Sequence, residues 1–458
     1  SVAIAAGIVA SGGAGAGAST RNRIKTWIKA FIDGDAPTDG EVSGISAAGI
    51  SLLADDDSTI TATTGSAAVA VTIGFVSGSV AIGVGVAKND IANEVEAYIV
   101  NAGDVKATGS GGITIWATDS ATIKSTAGAA SAALSVGWAG LSVSGAGVDA
   151  VNLIGTVTHA YVEDSVLDSE GKVEVKSDDT STITAWVLTT ATTASGGVYA
   201  GAIAIGAATA RNLIGWGTDP SVEGSYTTAD NPDSVVNGQT VKVVNGADAG
   251  YVYKFIGGDS LAKPDEAPEN WLEQVDYSDR TQWELVNLGR DAAEVYAYIQ
   301  DSEVHAEGNV TVSATEDANI TADIRATAVS VSGGMIAVAV SGAGISIENK
   351  VNTDVEAFVA GTDSEGAMLT LVEGGGTVSI TATDASTITA TANAVSFAAA
   401  IGLGGAGAIS LSFANNTIEN DVEAYATNAE IVTTSDTADL VITATETATI
   451  TSTSTASA

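Results

Sequence analysis

Hydrophobic and polar residues alternate along most of the chain with a period of two. In residues 378–383, for example, Val, Ile and Ala occupy every second position, and Ser and Thr fill the positions between them. Such alternation is typical of a β-strand that buries one face, because successive side chains of a strand point to opposite sides. No segment shows the 3.6-residue apolar spacing of an amphipathic helix. The pattern therefore predicts an all-β protein.

The alternating segments belong to a repeat, and its first marker is an asparagine. An Ile or Val follows two residues after it in every copy, and an Ala-Tyr or Ala-Phe pair ends nine residues after it in five copies. The six markers are Asn22, Asn89, Asn152, Asn212, Asn349 and Asn416. Stacked Asn side chains can hydrogen-bond to one another and to free backbone groups. We therefore expect a ladder of asparagines that fixes the register of the repeats.

The second marker is an acidic residue that occupies an apolar position of an alternating segment. Its six copies are Asp56, Asp119, Asp179, Glu316, Asp384 and Glu446. An inward carboxylate in an unbroken strand would be costly. We expect the chain to turn a corner at this position, with the carboxylate capping backbone N–H groups. The alternative is a column of cation sites, because hard cations such as Ca²⁺ prefer oxygen ligands.

Strands joined by short Gly, Ser, Asn and Asp corners and repeated six times predict a β-solenoid (β-helix). The interval of 137 residues between positions 212 and 349, against 67 between 22 and 89, indicates an insertion. We expect solenoid repeats in residues 1–216 and 292–458, and an inserted small β-rich module in residues 217–291. With coils of ordinary size, each repeat of about 65 residues is expected to hold more than one turn.

The insertion differs from the rest of the chain in composition. It holds four of the five prolines and about seven of the 23 aromatic residues. Insertions on a rigid scaffold commonly carry binding sites, and exposed aromatic rings suit stacking against sugars. The candidate ligand-binding residues are Trp271, Trp283, Tyr251 and Tyr253. The alternative is that these aromatic side chains form the module's own core.

Charge and cysteine content exclude several classes of function. The chain has 17 basic and 55 acidic residues, and the resulting formal charge of -38 would repel nucleic acids and anionic lipid headgroups. Without cysteine there is no disulfide, thiolate metal site or cysteine nucleophile. Closely spaced Asp33, Asp35 and Asp39 form a weak candidate calcium site, although their spacing is not that of an EF-hand.

An uncharged run over 65–87 is long enough to suggest a transmembrane helix. Its Gly and β-branched residues disfavour a helix, and similar runs recur in other repeats, including residues 1–19. We therefore expect no membrane span, and we interpret the first residues as repeat sequence and not as a signal peptide. The chain also starts and ends in nearly the same phase of the repeat. This predicts either a segment of a longer polypeptide or copies that stack head to tail into a fibre.

The phrase Asn-Asp-Ile-Ala-Asn-Glu-Val-Glu-Ala-Tyr-Ile at 89–99, between Gly/Ala/Val-rich strands, resembles repeats of very large secreted bacterial adhesin-like proteins of the filamentous-haemagglutinin and autotransporter types. The resemblance implies a β-helical body outside the cell or at its surface. It carries no catalytic residue across to this sequence.

From the sequence we expect an extracellular structural protein that forms or contributes to a surface fibre, and no enzyme. The main alternative is an adhesin that binds glycans or another cell through residues 217–291. A β-helical polysaccharide-active enzyme is less favoured, because its catalytic carboxylates would occur once and not in every repeat. An ice-binding face is also considered, formed by an aligned column of Thr59, Thr122, Thr182, Thr387 and Thr449 that Asn319 interrupts.

Overall fold

The computed structural model of the chain describes residues 1–34, 44–218, 222–245, 250–264, 268, 270–275, 277, 282–290, 292–362 and 370–458. Most of these residues lie in parallel β-strands that wind into stacked coils, so the predicted all-β solenoid is confirmed. Within the described ranges, no helix is long and apolar enough to cross a membrane.

The strands follow the repeats. Coil 1 comprises β1 (Val2–Asp33) and β2 (Ile45–Asp56), and coil 2 comprises β3 (Thr59–Val100) and β4 (Val105–Asp119). Coil 3 comprises β5 (Thr122–Val136), β6 (Ala139–Glu163), β7 (Val166–Ser169) and β8 (Val173–Asp179). Coil 4 begins with β9 (Thr182–Ile214), and the insertion that follows holds β10 (Trp216–Thr218), β11 (Tyr226–Thr227), β12 (Ser234–Val236), β13 (Thr240–Lys242), β14 (Val252–Phe255), β15 (Ser260–Ala262), a 3-10 turn (Trp271–Gln274), β16 (Trp283–Leu285) and β17 (Leu288–Arg290).

Coil 4 resumes with β18 (Ala293–Gln300), β19 (Glu303–Ala306) and β20 (Val310–Glu316). Coil 5 comprises β21 (Asn319–Val351), β22 (Thr353–Ala360), β23 (Thr370–Gly374) and β24 (Val378–Asp384). Coil 6 comprises β25 (Thr387–Ile418), β26 (Asp421–Thr427), β27 (Ala429–Thr433) and β28 (Leu440–Glu446), and β29 (Thr449–Ser457) begins a seventh coil.

Each repeat forms one coil, so the expectation of more than one turn per repeat is wrong. Asn22 pairs directly with Asn89, and Asn89 pairs with Asn152, in a parallel register that advances by one whole repeat. The coil is unusually long because a two-limbed extension of about 20 residues projects from its body. The sequence periodicity predicted the length of the repeat, but it did not predict the cross-sectional shape of the coil.

The body of the solenoid is filled by columns of identical or similar side chains. One column contains Ile60, Ile123, Ile183, Ile320 and Ile388, all buried. On the outside, a stack of rings continues through the six coils with centroids 4.8–5.0 Å apart, formed by Phe31, Tyr98, Tyr161, Tyr298, Phe358 and Tyr425. Parallel, in-register pairing places like on like, and burial of the apolar columns stabilises the stack.

The two-limbed extension, here called the fin, is formed by the uncharged segments 1–20, 65–87, 127–148, 187–210, 326–347 and 394–414. In each segment an outgoing limb leaves the body, turns at a glycine and comes back as a return limb. The turning glycines are Gly7, Gly74, Gly137, Gly197, Gly334 and Gly402. A Cβ on Gly197 would lie 1.9 Å from the carbonyl oxygen of Gly137, so the stacked turns leave room only for glycine.

Small side chains fill the narrow space between the two limbs. Ser135 and Ser142 face each other with hydroxyl oxygens 3.0 Å apart, and the Ser330 hydroxyl donates to the Ala202 carbonyl at 2.8 Å. The buried cluster nearest the body consists largely of alanine. The fin therefore has a thin interior of Ala, Ser, Thr and Gly.

The inserted module interrupts the wall of coil 4 between Ile214 and Ala293, close to the predicted boundaries of 217 and 291. It contains a four-stranded sheet in the order β11-β13-β14-β16. Its core packs on the solenoid at Val151, Leu153 and Leu213, next to the base of the fin.

Candidate functional site

The six marker asparagines form a hydrogen-bonded ladder along the solenoid. The Asn89 side-chain amide donates to the Asn152 carbonyl oxygen at 2.8 Å, and every other adjacent pair makes the same contact at 2.7–2.8 Å. All donors point in the same direction along the solenoid axis. The ladder therefore has a polarity: Asn22 donates toward coil 2, and Asn416 at the other end donates to the Ser452 hydroxyl of β29 at 3.1 Å.

The six acidic markers form a second column, inside the body. They stack in register from Asp56 through Asp119, Asp179, Glu316 and Asp384 to Glu446. The first five are buried, and Glu446 in the last coil is exposed. Buried carboxyl groups one strand spacing apart repel one another when ionised.

Every second carboxyl group of this column has hydrogen-bond partners. Asp56 accepts a bond from the Ser58 backbone N–H at 3.0 Å, and Asp384 accepts one from the Ser386 N–H at 2.8 Å. No hydrogen bond of good geometry reaches either oxygen of Asp119 or of Glu316 within the described residues, although Asn93 and the Ala121 backbone N–H lie close enough to Asp119 to lower its pKa slightly.

The alternation follows from the residue two positions after the acid. Ser58, Ser181 and Ser386 follow the acids that have partners, whereas Ala121, Ala318 and Ala448 follow the others. A serine hydroxyl and a turned backbone N–H can both bond to a carboxylate, whereas alanine offers no side-chain donor. The prediction of corner caps thus describes Asp56, Asp179 and Asp384 and is wrong for Glu316, whereas at Asp119 the contact with the Ala121 N–H is too weak to offset burial.

Burial changes the protonation of the groups without partners. Burial, with added repulsion from Asp179 and Asp56, raises the pKa of Asp119 to about 9 from its ordinary value of 3.8. Burial also raises the pKa of Glu316 well above its ordinary value, with repulsion from Asp179 and Asp384 adding to the effect. At neutral pH Asp119 therefore retains its proton, which lowers the charge inside the body, and the pKa of Glu316 is shifted in the same direction.

The candidate calcium site falls only in part within the described residues. Asp35 and Asp39 lie outside them, and the Asp33 carboxylate accepts a 3.4 Å hydrogen bond from Asn101. Over the described ranges, no three His, Asp or Glu side chains converge closely enough to ligate one ion. Calcium binding therefore has no geometric support in this part of the chain.

The aromatic residues of the module lie in its core and not on its surface. Trp271, Trp283, Tyr251 and Tyr253 are between 0% and 8% exposed, and they pack together with Phe255 and Tyr277. The prediction that they stack against sugars is therefore wrong. A module inserted into a thin-cored solenoid has to supply its own apolar interior, and these bulky rings supply it.

His305 lies between two carboxylates, and the sequence analysis did not identify it as a candidate residue. Its ring nitrogens lie 2.7 Å from a Glu303 oxygen and 2.8 Å from a Glu373 oxygen. Burial lowers the pKa of His305, but hydrogen bonds to the two carboxylates outweigh this and raise the pKa overall. Because Glu373 occupies the same position one repeat later, the repeat alignment contained the signal.

The two end coils leave strand edges without partners. Among the described strands, β1 pairs only with β3, and β26 pairs only with β22. Apolar side chains are exposed on both ends, including Ile4 and Ile8 at 77% and 81%, and Ile401 and Leu403 at 69% and 74%. Open parallel edges of this kind are templates for further strands.

The end coils also carry opposite charge on their outer faces. Coil 1 presents Arg21, Arg23, Lys25 and Lys29 along β1, and coil 6 presents Glu419, Asp421 and Glu423 at the matching turn of the coil. Within the chain, Lys29 already bonds to Glu94 and Glu96 of coil 2 at 2.7 and 2.9 Å. If a second copy continued the stack with the same geometry, its basic β1 would lie over the acidic face of coil 6.

Comparison of the chain with protein-family models, with curated proteins and with solved structures gives no significant match to any of them.

Proposed function

We propose that this chain is an extracellular structural subunit whose copies stack head to tail into a continuous β-solenoid fibre. The observation that carries the proposal is the complementarity of the two end coils. They share one repeat geometry, leave opposite edges open and bear opposite charge. The contact is heterologous and does not close, which is the arrangement that generates filaments.

The first support for the proposal is backbone pairing between copies. In a stacked pair, β1 of one copy would lie on β25 and β26 of the next, as β1 lies on β3 within the chain. The edge groups of both coils would then form the ladder that every interior coil already forms. Burial of the exposed apolar residues adds to the stability of the contact, at about 25 cal/mol per Å².

The second support for the proposal is the continuation of the side-chain columns from one copy to the next. In the register of the interior coils, Asn22 of one copy would stack on Asn416 of the next, and Phe31 would stack on Tyr425. Asn416 donates in the direction that the ladder requires, and its NH₂ group has a second N–H, besides the one given to Ser452, for the Asn22 oxygen. Both columns would run unbroken from copy to copy.

The third support for the proposal is the complementary charge of the two end coils. The interior register places Lys25 opposite Glu419 and Lys29 opposite Glu423. On the acidic side, burial raises the pKa of Glu356, and Asp354, Glu423 and Asp421 contribute repulsion. A basic strand on this face would relieve that repulsion. It would also disfavour stacking of two like ends, so it sets the direction of assembly.

Electron microscopy and sedimentation of the purified chain test the proposal. We expect unbranched fibres above a critical concentration, with each copy adding about 30 Å from six coils about 4.8 Å apart. Particles of one chain, 45.2 kDa, at every concentration would contradict it. Immunogold labelling of intact source cells tests the location, and label confined to the cytoplasm would contradict that part.

A further inference from the structure

The fin reverses the usual distribution of polarity between interior and surface. Its interior contains buried hydroxyls, such as Ser79 and Ser142, whereas its outer faces carry Ile82 at 50% and Ile205 at 55% exposure. Soluble proteins normally bury large aliphatic side chains and expose serine. A sheet with the opposite arrangement gains from an apolar partner on its outside.

The apolar outer face is continuous over the coils. On the return limb it includes Val80, Val84, Leu141, Val338 and Val340, each between 42% and 52% exposed. These residues belong to interior coils, so their exposure is not a consequence of the open ends. Stacking of further copies would leave this face uncovered and would make it longer.

The distribution of charge favours a second copy as the partner. None of the 72 charged residues, 17 basic and 55 acidic, falls within the six fin segments. With a formal charge of -38, two copies repel each other over most of their surfaces. On the fin, unlike on the acidic sides of the body, two copies can meet without opposing like charges.

The size of the face is adequate for such a contact. Six coils about 4.8 Å apart and nine residues about 3.3 Å apart give the return limb a face of roughly 850 Å². A standard protein interface buries roughly 800 Å² on each partner. In a fibre this area would be multiplied by the number of stacked copies, so a weak contact per copy becomes a strong one.

We propose that the fin is a lateral interaction surface, through which two copies, or two fibres, pair by packing their apolar return limbs against each other. The module packs at the base of the fin, at Val151, Leu153 and Leu213, and its described residues leave the return-limb residues named above exposed. The pairing does not depend on head-to-tail stacking, since a single chain already has the face.

The test compares two variants with the same added charge. Ile82→Glu with Ile205→Glu places two carboxylates on the fin, in coils 2 and 4. Thr61→Glu with Thr184→Glu places two carboxylates on exposed positions of the same two coils outside the fin. All four side chains point outward, so both variants are expected to fold, which thermal melting checks.

Sedimentation at concentrations below fibre formation, and fibre width above it, are the two readouts. We expect dimers and paired fibres for the unchanged chain and for the Thr variant, and at least a tenfold weaker dimer and single fibres for the Ile variant. Monomers and single fibres of the unchanged chain, or equal pairing by the two variants, would overturn the proposal. A fin that instead binds neutral phosphatidylcholine vesicles, with no pairing, would also overturn it and identify a lipid partner. Fibre length reports on stacking separately from width.

Discussion

At the scale of single residues, the buried carboxyl column is the least expected feature of the molecule. Five carboxyl groups lie inside a body that is otherwise filled largely by apolar columns and by the uncharged Asn ladder, and they alternate between groups with and without well-formed hydrogen bonds. The alternating pattern of the sequence predicted that these acidic side chains point inward. It also contained the Ser and Ala alternation two residues later, but only the structure connects that alternation to protonation, because burial depends on the packing of other coils.

Asp119 is predicted to destabilise the folded chain at neutral pH. Because its pKa is raised to about 9, the folded chain keeps a proton that the unfolded chain releases above pH 3.8. Stability therefore falls as the pH rises between these two values, by up to about 4 kcal/mol at pH 7. Asp119→Asn removes this penalty, and denaturant unfolding should show a gain at pH 7 that disappears near pH 4.

Asp384→Asn is the matched control for this substitution. It removes an acceptor for the N–H and hydroxyl of Ser386 and for the Thr353 hydroxyl. We expect it to destabilise the chain at pH 7 by about 1–3 kcal/mol. If Asp119→Asn instead destabilised the chain by a similar amount, Asp119 would be an ionised, partnered carboxylate and our description of the column would be incorrect.

At the scale of elements, the fin shows which structural features the hydrophobic pattern predicts and which it does not. The period of two and the uncharged runs were visible in the sequence, and they identified strands correctly. A period of two does not tell which face is inward, however. The fin has small residues inside and Val and Ile outside, so a reading based on hydrophobic burial alone would assign its faces the wrong way round.

The glycine column at the fin tip should be intolerant of any side chain. Gly197→Ala would bring a Cβ to 1.9 Å from the Gly137 carbonyl oxygen, so the turn has to shift. We expect a loss of about 2 kcal/mol or more in the stability of this region, measurable by hydrogen exchange of the coil 3 and coil 4 fin strands. Gly196→Ala is the control, because a Cβ there meets no atom within 4 Å. Equal protection in the two variants would contradict the close approach of the turns.

At the scale of the whole molecule, columns of like side chains run along the stack from coil 1 to coil 6. The Asn ladder, the ring stack and the open strand edges each continue to coil 6, where the Asn416 amide donates to the Ser452 hydroxyl of β29 at 3.1 Å. The repeat pattern predicted this periodicity well. The basic residues of coil 1 and the acidic residues of coil 6 were also visible in the sequence. Their complementarity could be recognised only from the strand register, which aligns Lys25 with the position of Glu419.

A charge-reversal mixing experiment tests head-to-tail stacking most directly. Lys25→Glu places like charges at the junction, and Glu419→Lys does the same from the other side. Each variant alone should therefore assemble at a critical concentration about tenfold higher at low ionic strength, which corresponds to about 1.4 kcal/mol per junction. In an equimolar mixture every alternating junction again pairs a basic residue with an acidic one. We predict that light scattering of the mixture recovers the critical concentration of the unchanged chain. A mixture that assembles no better than either variant alone would contradict it.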